Sequence, residues 1–197
     1  MQLRPSFANA LAQLDPAMLE RESSLLCGLH DDFTIGYLNS AWTRFADENG
    51  ASDLHVQYGL GSNWWRCVPA VLEPFLRDAF ARARAEPGVW EHSYSCPSAE
   101  FERQWRMRIL VLPRGGYLLD YQLLSSHLHD EPVCGLDARD YLDEREMFVQ
   151  CAHCRRMKRA KPPERWDWMP QHVTSPQAAT THSLCELCLA VFYPEPR

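Results

Sequence analysis

Four cysteines near the C-terminus are the residues of this sequence best suited to do chemistry. They form two Cys-x-x-Cys pairs, Cys151 with Cys154 and Cys185 with Cys188, separated by 30 residues. The gap of two residues lets both sulfurs of a pair reach one ion from a tight turn, and Zn²⁺ is the usual occupant of such a set. Because four thiolates leave no open coordination position, the pattern predicts a structural zinc site and not a catalytic one.

Other chemistry is open to the same cysteines. Two of the thiols could form a redox couple, and all four could hold an iron–sulfur cluster. Covalent haem attachment is not indicated, because Arg155 stands where that motif requires histidine. His153 and His182 lie inside or beside the pairs, and we expect them to orient the ligands by contact and not to replace a thiolate.

Composition limits the functional classes. The chain has 197 residues, of which 46% are hydrophobic and 23% charged, so it has room for one ordinary domain and a small module. No apolar run is long enough to span a membrane, and the N-terminus lacks the apolar segment of a secretory signal. The remaining cysteines are scattered, which predicts a reducing, cytoplasmic setting. They are Cys27, Cys67, Cys96 and Cys134.

Charge is distributed unevenly along the chain. Residues 1–150 hold 13 Lys+Arg and 22 Asp+Glu, a net charge of −9, whereas residues 151–197 hold 7 and 4, a net charge of +3. The acidic body disfavours nucleic acid as a partner. The basic run at residues 155–161 is most simply a solvated face that balances the negative charge of a zinc–thiolate centre. An acidic partner protein and nucleic acid are the alternative ligands for this run.

The rest of the sequence predicts an α+β fold. Residues 1–22 form an N-terminal helical segment, in which Asp15 is the N-cap and Pro16 the first helical residue. Apolar residues at helical spacing predict a long helix over residues 70–86, and alternating residues predict strands before and after it. The order β-β-α, loop, α-β-β-β predicts a five-stranded antiparallel sheet with helices on one face. The predicted strands are 25–30, 33–39, 89–96, 104–112 and 117–124.

Two blocks of residues carry a resemblance to a known family. The first runs from Ile35 to Ala46 and is followed by Asn49-Gly50; the second runs through residues 94–98 and 103–108. Residues 23–126 resemble a PAS domain of the kind found in bacterial sensor proteins. The resemblance implies sensing or protein–protein signalling and no fixed chemistry, so we do not expect an enzyme.

Such a sensor would hold its ligand between the sheet and the helices. The candidate pocket residues are Trp42, Trp64, Trp90 and Trp105, with ordinary core packing as the alternative. Light-sensing relatives place a reactive cysteine directly after Gly-x-Asn, but here Trp64 follows Gly61-Ser62-Asn63. Flavin is therefore not indicated, and no residue is recognisable as an axial haem ligand.

The C-terminal residues 149–197 carry a second resemblance. Residues 151–157, Trp166, residues 181–188 and Tyr193-Pro194-Glu195 are similar to a small cysteine module found after receiver or PAS domains in bacterial signalling proteins. The sequence departs from that module at His172, where an aromatic residue is expected. Residues 127–148 connect the two regions, and residues 136–147 are predicted to form a short charged helix.

The sequence therefore predicts a cytoplasmic sensor or adaptor for signal transduction in bacteria. In this interpretation the PAS-like domain senses a ligand or partner, and the zinc module passes the signal to a partner protein. A homodimer would be usual for the resembled family, and no membrane contact is expected. A zinc-dependent DNA-binding regulator and a thiol redox switch are the alternatives.

Overall fold

The computed structural model describes residues 2–49, 58–86, 88–129, 137–174 and 179–193. Several predicted features lie partly outside these residues: Gly50, Pro87 at the helix end, Cys134, Leu136 and Pro194-Glu195. The chain forms two compact units. The first comprises the described residues up to Val68 together with Leu76–Ser93 and Arg106–Leu123, and the second comprises Pro69–Phe75, Tyr94–Trp105 and the described residues from Leu124 onward.

The helices and strands have the following bounds among the described residues. The helices are α1 (Pro16–Arg21), α2 (Ser40–Glu48), α3 (Glu73–Ala85), α4 (Pro170–Thr174) and α5 (Glu186–Phe192). The strands of the first sheet are β1 (Gln2–Leu3), β2 (Leu25–Leu29), β3 (Ile35–Leu38), β4 (Trp90–Ser95), β5 (Phe101–Val111) and β6 (Tyr117–Leu128). Those of the second are β7 (Phe148–Cys151), β8 (Met157–Lys158), β9 (Trp166–Asp167) and β10 (Thr180–Ser183). None of the described helices is both long and apolar enough to cross a bilayer.

The fold is α+β, as predicted, but its large sheet has six strands and not five. The strand order is β1-β3-β2-β6-β5-β4. The additional strand is β1, which pairs antiparallel with β3 and places Gln2 opposite Leu38. A strand of two residues carries no alternation of side chains, so the sequence pattern could not reveal it. The remaining strands and α2 and α3 follow the predicted order β-β-α, loop, α-β-β-β.

Phe7 packs against two glycines of the first unit. Its ring is 1% exposed and belongs to a core that also contains Leu11, Leu26 and Tyr37. A Cβ atom on Gly36 would lie 2.5 Å from Phe7 Cγ, and one on Gly28 would lie 2.3 Å from Phe7 Cε1. The absence of side chains at these positions therefore leaves the space in which the N-terminal segment packs.

Asn39 connects several backbone segments of the first unit. Its side chain is fully buried, and Oδ1 accepts hydrogen bonds from the amides of Leu26 at 3.1 Å and Trp42 at 3.2 Å. Its Nδ2 donates to the carbonyls of Leu19 at 3.3 Å and Ser24 at 2.9 Å. Asn39 is thus the N-cap of α2 and also joins the strand β2 to the end of α1.

The charged helix predicted over residues 136–147 is wrong in the described part of that range. A 3₁₀ turn covers Ala138–Tyr141, and Leu142 then pairs with Phe148 in an isolated bridge. The Asp143 carboxylate accepts hydrogen bonds from the amides of Arg145 at 2.8 Å and Met147 at 2.9 Å. The aspartate side chain satisfies the backbone locally, and this competes with helix formation.

Candidate metal centre

The first cysteine pair lies in the turn of the β7–β8 hairpin. Cys151 is the last residue of β7, and its amide donates to the Arg156 carbonyl at 2.8 Å. The Arg155 amide donates back to the Cys151 carbonyl at 3.1 Å, and Arg155 has φ 58°, in the left-handed region. This tight reversal turns Cys154 back towards the end of β7.

The second pair reaches the first through a parallel strand pairing. β10 runs parallel to β7, with Ser183 opposite Cys151, and the Ala152 amide donates to the Ser183 carbonyl at 2.9 Å. Parallel strands end at the same edge of a sheet, so Cys185, two residues beyond β10, arrives beside Cys151. It is the N-cap of α5, and Cys188 lies in the first turn of that helix.

The four sulfur atoms form one cluster. All lie within 4.8 Å of one another, and the Cys154 and Cys185 sulfurs are 3.7 Å apart. A tetrahedral site with Zn–S bonds of about 2.3 Å requires sulfurs roughly 3.8 Å apart. A disulfide requires about 2.05 Å, and the four cysteines are free. The structure therefore brings together the four predicted ligands in an arrangement that could hold a metal ion such as zinc.

Hydrogen bonds among the four cysteines determine which of their thiols loses its proton most readily. Hydrogen bonds from Cys154 and Cys188, and one from the backbone amide of Cys185, lower the pKa of the Cys151 thiol. The hydrogen bonds that Cys154 and Cys188 make with Cys151 raise their own pKa values, that of Cys188 to about 12. One thiolate thus forms at the expense of the others, whereas a bound divalent cation would favour deprotonation of all four.

Apolar side chains of the second unit surround the cluster. Cys151, Cys185 and Cys188 are buried together with Phe192, which is 5% exposed. The residues that pack against them include two from earlier in the chain, Phe75 and Tyr94. The other residues packed there are Cys154, Trp166, Leu184 and Tyr193. Such packing limits the access of water to Cys151, Cys185 and Cys188, while Cys154 is half-buried.

The predicted supporting histidines have different positions. The ring of His153 is 6% exposed and stacks on Phe192, with ring centroids 3.3 Å apart and an interplanar angle of 3°. His182 lies on β10 and is exposed, and partial desolvation of its side chain together with the nearby Arg155 lowers its pKa. Neither histidine belongs to the group of four ligating atoms found among the described residues. His153 contacts the metal centre through Phe192.

The four candidate pocket tryptophans are spread over the fold. Trp64 is 5% exposed and packs edge-on against Trp65 and Phe80, whereas Trp42 lies on α2 near Tyr121. Trp90 is on β4, and Trp105, which belongs to the second unit, is 5% exposed on β5. None of them lines either of the two cavities described in the first unit. Their role in ligand binding stays a prediction.

His172 occupies a position in an aromatic core. It is 7% exposed, and its ring lies 4.8 Å from that of Phe148. Tyr141, Met157 and Met169 form the buried cluster around Phe148. Burial lowers the pKa of His172, so the neutral ring is favoured. The histidine thus stands in for the aromatic residue that the resembled module led us to expect.

We expect His172→Phe to reduce the acid sensitivity of the second unit. In the unfolded chain a histidine has a pKa of about 6.5. Because the pKa of His172 is lower in the folded protein, the unfolded chain binds a proton more readily as the pH falls below about 6.5. Native stability should therefore fall on acidification through this residue, and the phenylalanine variant should lose less. Urea unfolding at about one unit above and one unit below pH 6.5 measures the difference.

The exposed His127 gives a control variant, His127→Gln, in the same unit. Acidification also protonates metal-ligating thiolates, but this effect is common to the wild type and both variants. Equal losses of stability on acidification in the wild type and in His172→Phe would contradict the assignment of a neutral, buried His172.

The basic run between the cysteine pairs is largely paired with carboxylates of its own unit. Arg159 and Lys161 contact Asp140 at 2.8 and 3.0 Å, and Lys158 contacts Glu164 at 3.3 Å. The contacts with Asp140 join the basic run to the 3₁₀ turn at Ala138–Tyr141, and the contact with Glu164 joins it to the loop that follows the run. The charges therefore serve contacts within the unit, which the sequence alone could not show.

Comparisons with known proteins find a distant structural likeness and no match in sequence. No family model matches the chain, and no curated protein sequence matches it. Among solved structures, the crystal structure of a sensory box sensor histidine kinase from Vibrio cholerae is similar, with 12% identity and a TM-score of 0.36. The match covers 64% of this chain and 97% of that chain. A likeness this distant does not decide the function of the present chain.

Proposed function

We propose that this protein is a bacterial signal-transduction sensor or adaptor. Its PAS-like part senses a ligand or partner, and its C-terminal module, built on a structural zinc ion, passes the signal on by protein–protein interaction. The observation that carries the proposal is the closed cluster of four sulfurs within 4.8 Å of one another. Its location in the cytoplasm stays a prediction from the scattered free cysteines.

The cluster supports a structural and not a catalytic role. A catalytic zinc site keeps one position for water or substrate, whereas four sulfurs at tetrahedral spacing would fill the coordination sphere. Three of the four cysteines are buried, and aromatic residues pack around them. A metal held in this way contributes folding free energy to the module, of order 10–16 kcal/mol in small zinc modules.

The outer face of α5 supports a role in protein interaction. The helix turns Cys188 and Phe192 inward, but Leu187, Leu189 and Val191 are 72%, 48% and 56% exposed. Leu187 and Val191 lie one turn apart on the same side of the helix, and we call these two residues the outer face. Apolar side chains grouped on a surface commonly mark contacts with other proteins. The metal centre fixes the helix from its inner side and so holds the outer face in place.

The ion pairs of the basic run make DNA the weaker alternative as a partner. Binding to the phosphate backbone requires basic side chains that can displace counterions. Here Lys158, Arg159 and Lys161 already contact Glu164 and Asp140. A redox switch has no separate support, because the same sulfur spacing is accounted for by a metal site.

Site-specific cross-linking tests the proposal. A photo-reactive amino acid at Leu187 in the full chain should cross-link one protein of the source cell. The same reagent at Met18, which is 59% exposed in the first unit, is the control. We expect the product from Leu187 to disappear after Val191→Glu and after removal of zinc by a chelator. Identical products from both positions, or binding of labelled DNA that falls steeply with salt, would contradict the proposal.

A further inference from the structure

A cleft in the first unit is not accounted for by the metal centre or by the candidate tryptophans. Its volume is about 440 Å³, within the range of small-molecule sites. One wall is a single face of α3, formed by residues at helical spacing that include Arg77, Ala81 and Ala85. The two alanines leave a trough along the helix between longer side chains.

Aromatic rings complete the lining of the cleft, two from outside α3 and one, Phe80, from the helix itself. The two from outside are Phe33 and Tyr117, whose rings are stacked, with centroids 5.7 Å apart and an interplanar angle of 14°. Phe80 meets both edge-on, at 5.0 and 4.9 Å. Phe33 has φ 63°, in the left-handed region that L-residues rarely adopt, and its ring lies at the cleft.

The charge of the cleft is positive. Of its lining residues two are arginines, Arg77 and Arg84, and none is acidic. Arg77 holds its guanidinium over the Trp65 ring, 4.5 Å from the centroid. Arg84 donates from Nη2 to Asp31 at 2.6 Å and from Nε to the Tyr117 hydroxyl at 2.9 Å. Because that hydroxyl accepts from Arg84, its own hydrogen can be donated to a ligand.

We propose that this cleft binds a small aromatic carboxylate. The aromatic body would lie in the trough over Ala81 and Ala85, with its edge or face against Phe33 and Phe80. The carboxylate would accept hydrogen bonds from an arginine and from the Tyr117 hydroxyl, since guanidinium and carboxylate groups match in charge and geometry. Asp31 neutralises part of the charge of Arg84, so a single carboxylate suits the site better than a multiply charged anion.

The proposed function does not name a ligand, so this inference goes beyond it. Only the biological role of binding, as a signal, rests on the proposed function. Titration calorimetry of the full chain with 2-naphthoate tests the inference. We expect one saturable site, with the neutral 2-naphthamide bound about ten-fold more weakly because it loses the charge-assisted hydrogen bonds. The saturated decahydro-2-naphthoate should bind about three-fold to ten-fold more weakly because it lacks ring–ring contacts.

Variants locate the site. Arg77→Gln and Arg84→Gln should each weaken 2-naphthoate binding about ten-fold, and Ala81→Leu should abolish binding by filling the trough. Arg82→Gln, on the same helix and paired with Glu86 outside the lining, is the matched control and should bind as the wild type does. Thermal melting shows whether Arg84→Gln is folded; Arg77→Gln and Ala81→Leu test the cleft without breaking the bond to Asp31.

Three results would overturn the inference: no saturable binding of 2-naphthoate, equal binding of acid and amide, or unchanged binding in Ala81→Leu. None of these results would affect cross-linking from Leu187, so failure of the ligand assignment is distinguishable from failure of the proposed function. Conversely, naphthoate binding with no cross-linked partner would uphold the cleft and remove the proposed output.

Discussion

Replacing Cys151 with serine is expected to release the metal and to unfold the second unit. A hydroxyl is a poor substitute for a thiolate, and Cys151 is fully buried between the two other buried ligands, Cys185 and Cys188. Zinc contributes on the order of 10–16 kcal/mol to small modules of this kind, as much as the whole stability of an ordinary domain, which is about 5–15 kcal/mol. Zinc content, limited proteolysis and near-ultraviolet circular dichroism together measure the loss.

Cys67→Ser provides the control for this experiment. Cys67 lies in the first unit, and its thiol donates to the Trp64 carbonyl, a bond that a serine hydroxyl can also make. The control should keep its full zinc content and its resistance to protease. If Cys151→Ser retained a full equivalent of zinc and an unchanged proteolysis pattern, the four-cysteine centre would not support the fold of this unit.

Asn39→Ala should lower the free energy of unfolding of the first unit by about 3–5 kcal/mol. The side chain makes four hydrogen bonds while fully buried, and alanine makes none of them. Each buried backbone group left unsatisfied costs about 1–3 kcal/mol, and loss of the N-cap of α2 costs about 0.5–2 kcal/mol. Urea unfolding followed by far-ultraviolet circular dichroism gives the change.

Asn49→Ala is a matched control at the other end of the same helix. Asn49 is exposed and donates to the Phe45 carbonyl at 2.8 Å, so its removal should cost less than about 1 kcal/mol. Similar losses for Asn39→Ala and Asn49→Ala would contradict the assigned role of Asn39.

The sequence was most informative where spacing determines geometry. Two Cys-x-x-Cys pairs predicted one cluster of four sulfurs, and the parallel pairing of β7 with β10 produces it by placing Ser183 opposite Cys151. Asp15 was recognisable as a helix cap because that role depends on neighbours in the chain. The alternation in residues 104–112 predicted β5 for the same reason.

Features that depend on distant residues could not be predicted. Phe75 and Tyr94 pack at the metal centre although both precede the cysteines by more than fifty residues. Strand β1 depends on pairing with β3 and on the space over Gly28 and Gly36. The helix predicted over residues 136–147 does not form in the described part of that range, because the Asp143 carboxylate accepts hydrogen bonds from the amides of Arg145 and Met147.

The cleft, too, could not be predicted from the sequence, because its lining residues are distant from one another in the chain. The tryptophans drew attention because of their size, whereas the cleft is lined by Phe33 in a turn and by alanines of α3. Trp64 does not line the cleft but packs against Phe80, which does. A trough made by small residues leaves no signal in a sequence, and only the fold shows which arginines border it.

X-ray absorption at the zinc edge, combined with elemental analysis of the purified full chain, identifies the metal and its ligands in one experiment. We expect one zinc per chain and a first coordination shell of four sulfurs at about 2.3 Å. Iron with inorganic sulfide, a shell containing nitrogen or oxygen, or protein that is folded and free of metal would contradict this expectation.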